Sequence, residues 1–245
     1  MFVAEGHLAA SRLAGSHYPM VSLLLGRGKA DAFPDLVRAF ESAGAPVYVA
    51  SPEVLSRTVG FDLHRGVVAL GRRLPPSRTG DLVAGPGPLV VAEGLNDHEN
   101  LGALFRNASA LGATGVLLDP SSADPLYRRS VRVSLGHVLC VPWARSSDWP
   151  ADLGHLGAAG WRVVALTPEP TAPALGSALR GRRVALVVGA EGPGLSAAAL
   201  ALAGEKARIP MSPGVDSLNV ATAAAIGLYH LASVGSPGWT GGWSW

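Results

Sequence analysis

The segment V184-A-L-V-V-G-A-E-G-P-G-L-S196 passes from five apolar residues into a loop holding three glycines and a single carboxylate, Glu191. A run apolar on both faces marks a strand buried on both sides, as in a parallel sheet covered by helices. Ligands of such sheets bind beyond the carboxyl ends of the strands, so the loop after this strand is where chemistry is to be sought. Its glycines allow a ligand close to the backbone, and Glu191 stands among small residues near the start of the next helix. A structural turn is the plain alternative. The G-x-x-G-x-G spacing differs from the G-x-G-x-x-G of dinucleotide sites and disfavours a nicotinamide dehydrogenase.

Similar apolar runs recur on either side, at P88-L-V-V-A92, G115-V-L-L118, H137-V-L-C-V141, W161-R-V-V-A-L166 and K206-A-R-I209, with helical patterns between them. Residues 88–245 therefore read as an α/β domain with a largely parallel sheet. Upstream, V21-S-L-L-L25, P46-V-Y-V-A50 and V67-V-A-L70 alternate with a helical pattern over 31–43 that puts Phe33, Leu36, Val37 and Phe40 on one face. These predict a smaller α/β domain over 1–72. Between the two, R72-R-L-P-P-S-R-T-G-D-L-V-A-G-P-G-P88 is rich in proline and glycine, and 73–87 reads as a semi-stiff linker.

The composition limits the alternatives. Of 245 residues, 48% are hydrophobic and 16% charged, which excludes a disordered chain. The one cysteine, Cys140, excludes a disulfide framework or a cysteine-rich zinc site, and no metal is expected. The chain starts M-F-V-A-E-G-H-L without a basic segment or long apolar run, and no stretch is long enough to span a membrane, so a cytoplasmic protein is expected. The net charge of +2 argues against a broad electrostatic grip on nucleic acid. Yet 18 of the 20 basic residues are arginine, Lys29 and Lys206 being the exceptions, and arginine makes forked, geometry-specific contacts with phosphate. The glycine- and tryptophan-rich end, 236–245, reads as a tail able to dock on a partner.

Two further post-strand loops stand out. E93-G-L-N-D-H-E-N-L-G-A-L-F-R-N-A-S-A-L-G112 leads from a strand into a helix whose buried stripe is Leu101, Leu104, Phe105, Ala108 and Leu111. Asn100 reads as its N-cap, and Arg106 lies on the polar edge, either solvated or clamping a phosphate at the sheet mouth. The third loop, R208-I-P-M-S-P-G-V-D-S-L-N219, enters an alanine-rich helix with Ser217 and Asn219 at its N-terminal edge, where both side chains can act as caps. Ala221, Ala223, Ala224, Ala225 and Gly227 predict close packing of that helix, against the sheet or a second subunit.

Taken in order and spacing, N96-x-x-x-N-x-G-x-x-x-R-x-A108, G189-x-E-G-x-G194 and I209-P-M-x-x-G-x-x-S-L-N-V220 resemble the three signature motifs of the SpoU (TrmH-type) branch of the SPOUT methyltransferases. F-V-A-E-G near the start and H64-R-G-V-V-A69 resemble the small RNA substrate-binding domain often fused to it, whose members often carry further residues before this point. The resemblance implies a C-terminal α/β knot (deep trefoil knot), a homodimer, and S-adenosyl-L-methionine-dependent methylation of an RNA 2′-O-ribose. By motif it implies Asn100, Arg106, Glu191, Ser217 and Asn219 as catalytic residues, and Thr167, Gly189, Ile209 and Leu218 as contacts of the methyl donor. Ribosomal RNA is expected as the substrate because of the appended N-terminal domain, with transfer RNA or an antibiotic-resistance role as alternatives. A non-catalytic RNA-binding or ribosome-assembly protein on the same fold is the alternative of another class.

Because a guanidinium is a poor base, Arg106 is expected to grip RNA phosphate and orient the hydroxyl. Glu191 is expected to orient, accepting hydrogen bonds from loop amides or from Asn100. The expected RNA contacts are Arg72 and Arg73 in or beside the linker, with Arg78, and Arg128, Arg129 and Arg132 in L126-Y-R-R-S-V-R-V-S134. His64 and Arg65 are further candidates.

Overall fold

The computed structural model describes residues 1–59, 66–178 and 183–235. His64, Arg65 and the tail 236–245 lie outside the described residues. In chain order the elements begin β1 (Phe2–Glu5), α1 (His7–Ala14), β2 (Met20–Gly26), α2 (Lys29–Ala32), α3 (Pro34–Ser42), β3 (Val47–Ala50), α4 (Pro52–Val59) and β4 (Val67–Gly71). There follow α5 (Thr79–Val83), β5 (Leu89–Glu93), α6 (His98–Ala110), β6 (Gly115–Leu118), α7 (Arg128–Val133), a 3-10 turn (His137–Leu139) and β7 (Trp143–Arg145). The chain closes with α8 (Ala151–Ala158), β8 (Arg162–Leu166), α9 (Leu175–Ala178), β9 (Val184–Gly189), α10 (Ala197–Leu202), β10 (Glu205–Ala207) and α11 (Val220–Gly235).

Two compact units emerge: Met1–Pro75 with Asp124–Cys140, and Pro76–Ala123 with Val141–Trp245. In the first, the described strands form one sheet of order β1-β4-β2-β3, antiparallel except for the β2–β3 pair. The helix expected over 31–43 is two helices, broken at Phe33 because Pro34 drives the preceding residue out of helical geometry, here φ −132°. Leu36 and Phe40 bury the expected face. The excursion 124–140, which the linear reading places with the second domain, packs instead on β1 and α1. Arg128 grips the buried Glu5 through Nε (3.0 Å) and Nη2 (2.8 Å), and Arg12 donates to the Leu135 carbonyl at 2.7 Å.

The second unit is a wholly parallel sheet, six-stranded among the described residues, in the order β10-β8-β9-β5-β6-β7. Period two sorts its side chains. Leu89, Val91, Leu117, Ala144, Val163, Ala185 and Val187 face one cluster with Leu153, Leu156 and Trp161. Leu82 joins them, so residues 76–87 are not a free linker: α5 is a lid on this core. The opposite face takes α6 and α11, which also pack on each other, tied where Asn107 Nδ2 donates to the Ala221 carbonyl at 2.9 Å. Alanine-rich α11 does pack tightly, against the sheet: a Cβ at Gly227 would lie 2.6 Å from Leu186.

The apolar run 137–141, expected as a strand, is the 3-10 turn followed by a cap, and the edge strand is β7 at Trp143–Arg145. Periodicity does not separate a short buried turn from a short buried strand. Gly136, at φ 88°, starts the turn by placing backbone where a Cβ would collide with Ala9.

Candidate functional site

The loops after β8, β9 and β10 converge at the carboxyl edge of the sheet, beside the central pair β5–β9, where the strand order reverses. They enclose a cavity of about 350 Å³, within the size range of small-ligand sites. Leu166, Val188, Leu200, Ile209 and Leu218 supply its apolar walls. All four expected methyl-donor contacts, Thr167, Gly189, Ile209 and Leu218, line it, as do Glu191 and Ser217. Gly189 has no space for a side chain: a Cβ there would strike the Gly194 carbonyl carbon and the Leu195 nitrogen. The loop folds back on itself at that point, with the Gly194 amide donating to the Ala190 carbonyl at 3.0 Å.

Asn219, at the end of the β10–α11 loop, ties that loop to the β9–α10 loop and to the first turn of α6. Its Oδ1 caps α11, accepting from the amides of Ala221 (3.1 Å) and Thr222 (3.2 Å). That fixes the amide orientation, because the cap requires oxygen. Nδ2 then donates to Asn100 Oδ1 at 2.7 Å and to Glu191 Oε1 at 2.8 Å. The side-chain amide that Glu191 accepts is that of Asn219, in place of the expected loop amides or Asn100. Asn100 itself is not a cap. Asp97 caps α6, its Oδ1 accepting from the Glu99 and Asn100 amides at 2.7 and 2.8 Å, which releases the Asn100 side chain to turn toward Asn219.

Arg106 lies two turns along α6, exposed and without a hydrogen bond or ion pair among the described residues. The structure does not bring it into the Asn100–Asn219–Glu191 network. The candidate RNA contacts Arg72, Arg73, Arg128, Arg129 and Arg132 all belong to the first unit. Arg128 is engaged by Glu5, and Arg73 by the Met1 carbonyl (3.1 Å) and Asp124 (2.5 Å). Arg72 and Arg132 are exposed. Among the described residues no three His, Cys, Asp or Glu side chains gather as a metal site, and no helix is long and apolar enough to cross a membrane.

Sequence reading missed the groups that hold these loops. Asp119, after β6, accepts from the Gly94 amide at 2.9 Å and from the hydroxyls of Ser121 and Ser122 at 2.5 Å each. Burial pushes its pKa up, but the two hydroxyls and the Gly94 and Ser121 amides outweigh burial and hold the carboxyl below its ordinary value. Arg145 donates to the carbonyls of Asp119 (2.9 Å), Ser122 (2.8 Å) and Ala123 (3.1 Å), bracing the same turn. Glu93, the acid ending an otherwise apolar strand, was the visible signal for a further anchor.

Residues 87–229 match the family model described as "SpoU rRNA Methylase family". The chain belongs to this family. A Mycobacterium bovis protein named as an uncharacterized tRNA/rRNA methyltransferase is 47% identical over 233 residues, covering 94% of this chain and 80% of that relative. The 23S rRNA (guanosine-2′-O-)-methyltransferase RlmB of Escherichia coli K12 is 29% identical over 222 residues, covering 89% of this chain and 90% of that one. The AdoMet-bound rRNA methyltransferase of Sinorhizobium meliloti superimposes with a TM-score of 0.80 at 27% identity, over 94% of this chain and 85% of that structure. The family match contains Asn100, Arg106, Glu191, Asn219 and every residue that lines the cavity.

Proposed function

We propose that this chain is an S-adenosylmethionine-dependent RNA 2′-O-ribose methyltransferase acting on ribosomal RNA. The observation that carries the reading is the Asn219 amide, which joins Asn100 of α6 to Glu191 on the glycine loop that lines the cavity. The RlmB relative, whose name specifies a 23S rRNA 2′-O product, supports the chemistry and the substrate. The cavity fits the methyl donor: its walls are apolar, its floor is glycine backbone with no room for a side chain at Gly189, and Thr167 adds a hydroxyl. When bound, S-adenosylmethionine supplies an electrophilic methyl carbon on a sulfonium.

The residues of the chain then bind, align and stabilise. Leu166, Ile209 and Leu218 would pack against the adenine faces of the donor, while the loop backbone would offer hydrogen bonds to its polar edge. Glu191 serves to orient: its Oε1 receives Asn219 Nδ2 at 2.8 Å, which ties the glycine loop to the cap of α11. Arg106 stays charged; its fork grips the RNA phosphate beside the target ribose, orients the 2′-hydroxyl and stabilises developing alkoxide charge. The proton leaves to phosphate or water. Alignment of oxygen, carbon and sulfur supplies much of the acceleration.

Within this reading, the segment 208–219 that carries the chain from β10 to α11 forms the family's deep trefoil knot, and two copies act as a homodimer in the cytoplasm. The first unit is the RNA-binding module, with Arg72 and Arg132 as its phosphate contacts. Transfer RNA is the second reading for the substrate, because the name of the Mycobacterium bovis relative carries both RNA classes. Mapping ribose methylation across total RNA from strains with and without the gene tests the proposal. A 2′-O-methyl mark in ribosomal RNA that disappears with the gene is expected.

A further inference from the structure

Glu93 ends β5 and pairs in register with Gly189, the first residue of the glycine loop. Its carboxylate reaches the other end of that loop. Oε2 accepts from the Ser196 amide at 2.8 Å, and Oε1 accepts from the Ser196 hydroxyl at 2.7 Å and from Trp149 Nε1 at 2.8 Å. Ser196 in turn caps α10, its Oγ accepting from the Ala199 amide at 3.1 Å. One residue thus holds the loop at both ends, by its backbone at 189 and by its carboxylate at 196. Three donors converge on the two oxygens, an arrangement that a neutral amide cannot reproduce, because its NH₂ would face a donor in either orientation. Between the anchors lie Glu191 and the cavity wall from Gly189 to Leu195.

We propose that Glu93 is a positioning residue that sets the shape of the cofactor loop and thereby the placement of Glu191; this rests on the S-adenosylmethionine reading above. A helix cap alone would affect folding stability without touching the cavity. A loop anchor governs affinity for the cofactor, because loosening either end lets the wall move off the ligand and adds an ordering cost to binding.

The test measures S-adenosylmethionine affinity by calorimetry, and the unfolding midpoint without ligand, for the full chain and for Glu93→Gln, Ser196→Ala, their double variant and Trp149→Phe. Glu93→Gln is expected to weaken binding about tenfold. The double variant is expected to bind no more weakly than the worse single variant, since both cut the same link. Trp149→Phe leaves both Ser196 bonds and is expected to lose less than Ser196→Ala. Binding by Glu93→Gln within about twofold of wild type, or single effects that multiply in the double variant, overturns the inference. If Glu93→Gln does not fold, the comparison of Ser196→Ala with Trp149→Phe decides, and equal losses overturn it. A wild-type chain that does not bind S-adenosylmethionine overturns the cofactor reading first, and this inference with it.

Discussion

The side-chain amide of Asn219 donates to Asn100 Oδ1 at 2.7 Å and to Glu191 Oε1 at 2.8 Å, while its oxygen caps α11. Capping and bridging can be separated by mutation. Asn219→Asp keeps an oxygen for the Ala221 and Thr222 amides but removes the donor and sets a second carboxylate beside Glu191. Methyl transfer is expected to fall by about tenfold or more, with the unfolding midpoint little changed, in single-turnover assays paired with thermal melts.

In the proposed mechanism Arg106 acts by its fork. Arg106→Lys keeps the charge and loses the bidentate contact. Single-turnover methyl transfer is expected to drop by about two orders of magnitude, with S-adenosylmethionine affinity unchanged. Near-normal transfer by the lysine variant would remove the clamp from the mechanism.

Asp97 is the cap of α6, so Asp97→Ala is expected to lower stability by about 1 kcal/mol. Urea unfolding reads that loss. Asn100→Ala leaves the cap intact and is expected to lower methyl transfer instead. The opposite pattern would restore Asn100 as the cap.

Asp119 links stability to acidity. Its carboxyl is held below its ordinary 3.8 in the folded chain. Folding therefore favours the ionised form, and that contribution is complete above the unfolded pKa and is lost as pH falls through the folded one. Between neutrality and about pH 5 the contribution stays constant. Comparing unfolding midpoints of wild type and Asp119→Asn from pH 7 downward, we expect a gap at neutral pH that narrows only in the acid range near and below 3.8.

Much of this was legible in sequence. The strand runs at 89–92, 115–118, 162–166 and 184–188 are apolar on both faces, the pattern of a covered parallel sheet, and the Leu101–Ala108 stripe marks the buried face of α6. What escaped depended on tertiary partners. The run at 137–141 has the hydropathy of a strand, and only its packing with the first unit makes it a turn. Leu82 looked like part of a linker because a five-residue helix among prolines and glycines carries no period of its own. Asn100 and Asp97 are both good capping residues three positions apart, and spacing alone did not show that Asp97 caps α6 while Asn100 meets Asn219. Glu93 was visible as an acid at the end of an apolar strand, but its three donors come from residues 149 and 196, which no local pattern links to it.

The central claim is ribose methylation. The direct measurement is transfer of a labelled methyl group from S-adenosylmethionine to ribosomal RNA by the full chain, followed by complete digestion and separation of the nucleosides. Label is predicted in a 2′-O-methylnucleoside, with its rate of appearance lowered by Asn219→Asp and by Arg106→Lys to the extents given above. Label on a base with the ribose untouched, or no transfer to any RNA by a chain that binds the donor, would contradict it.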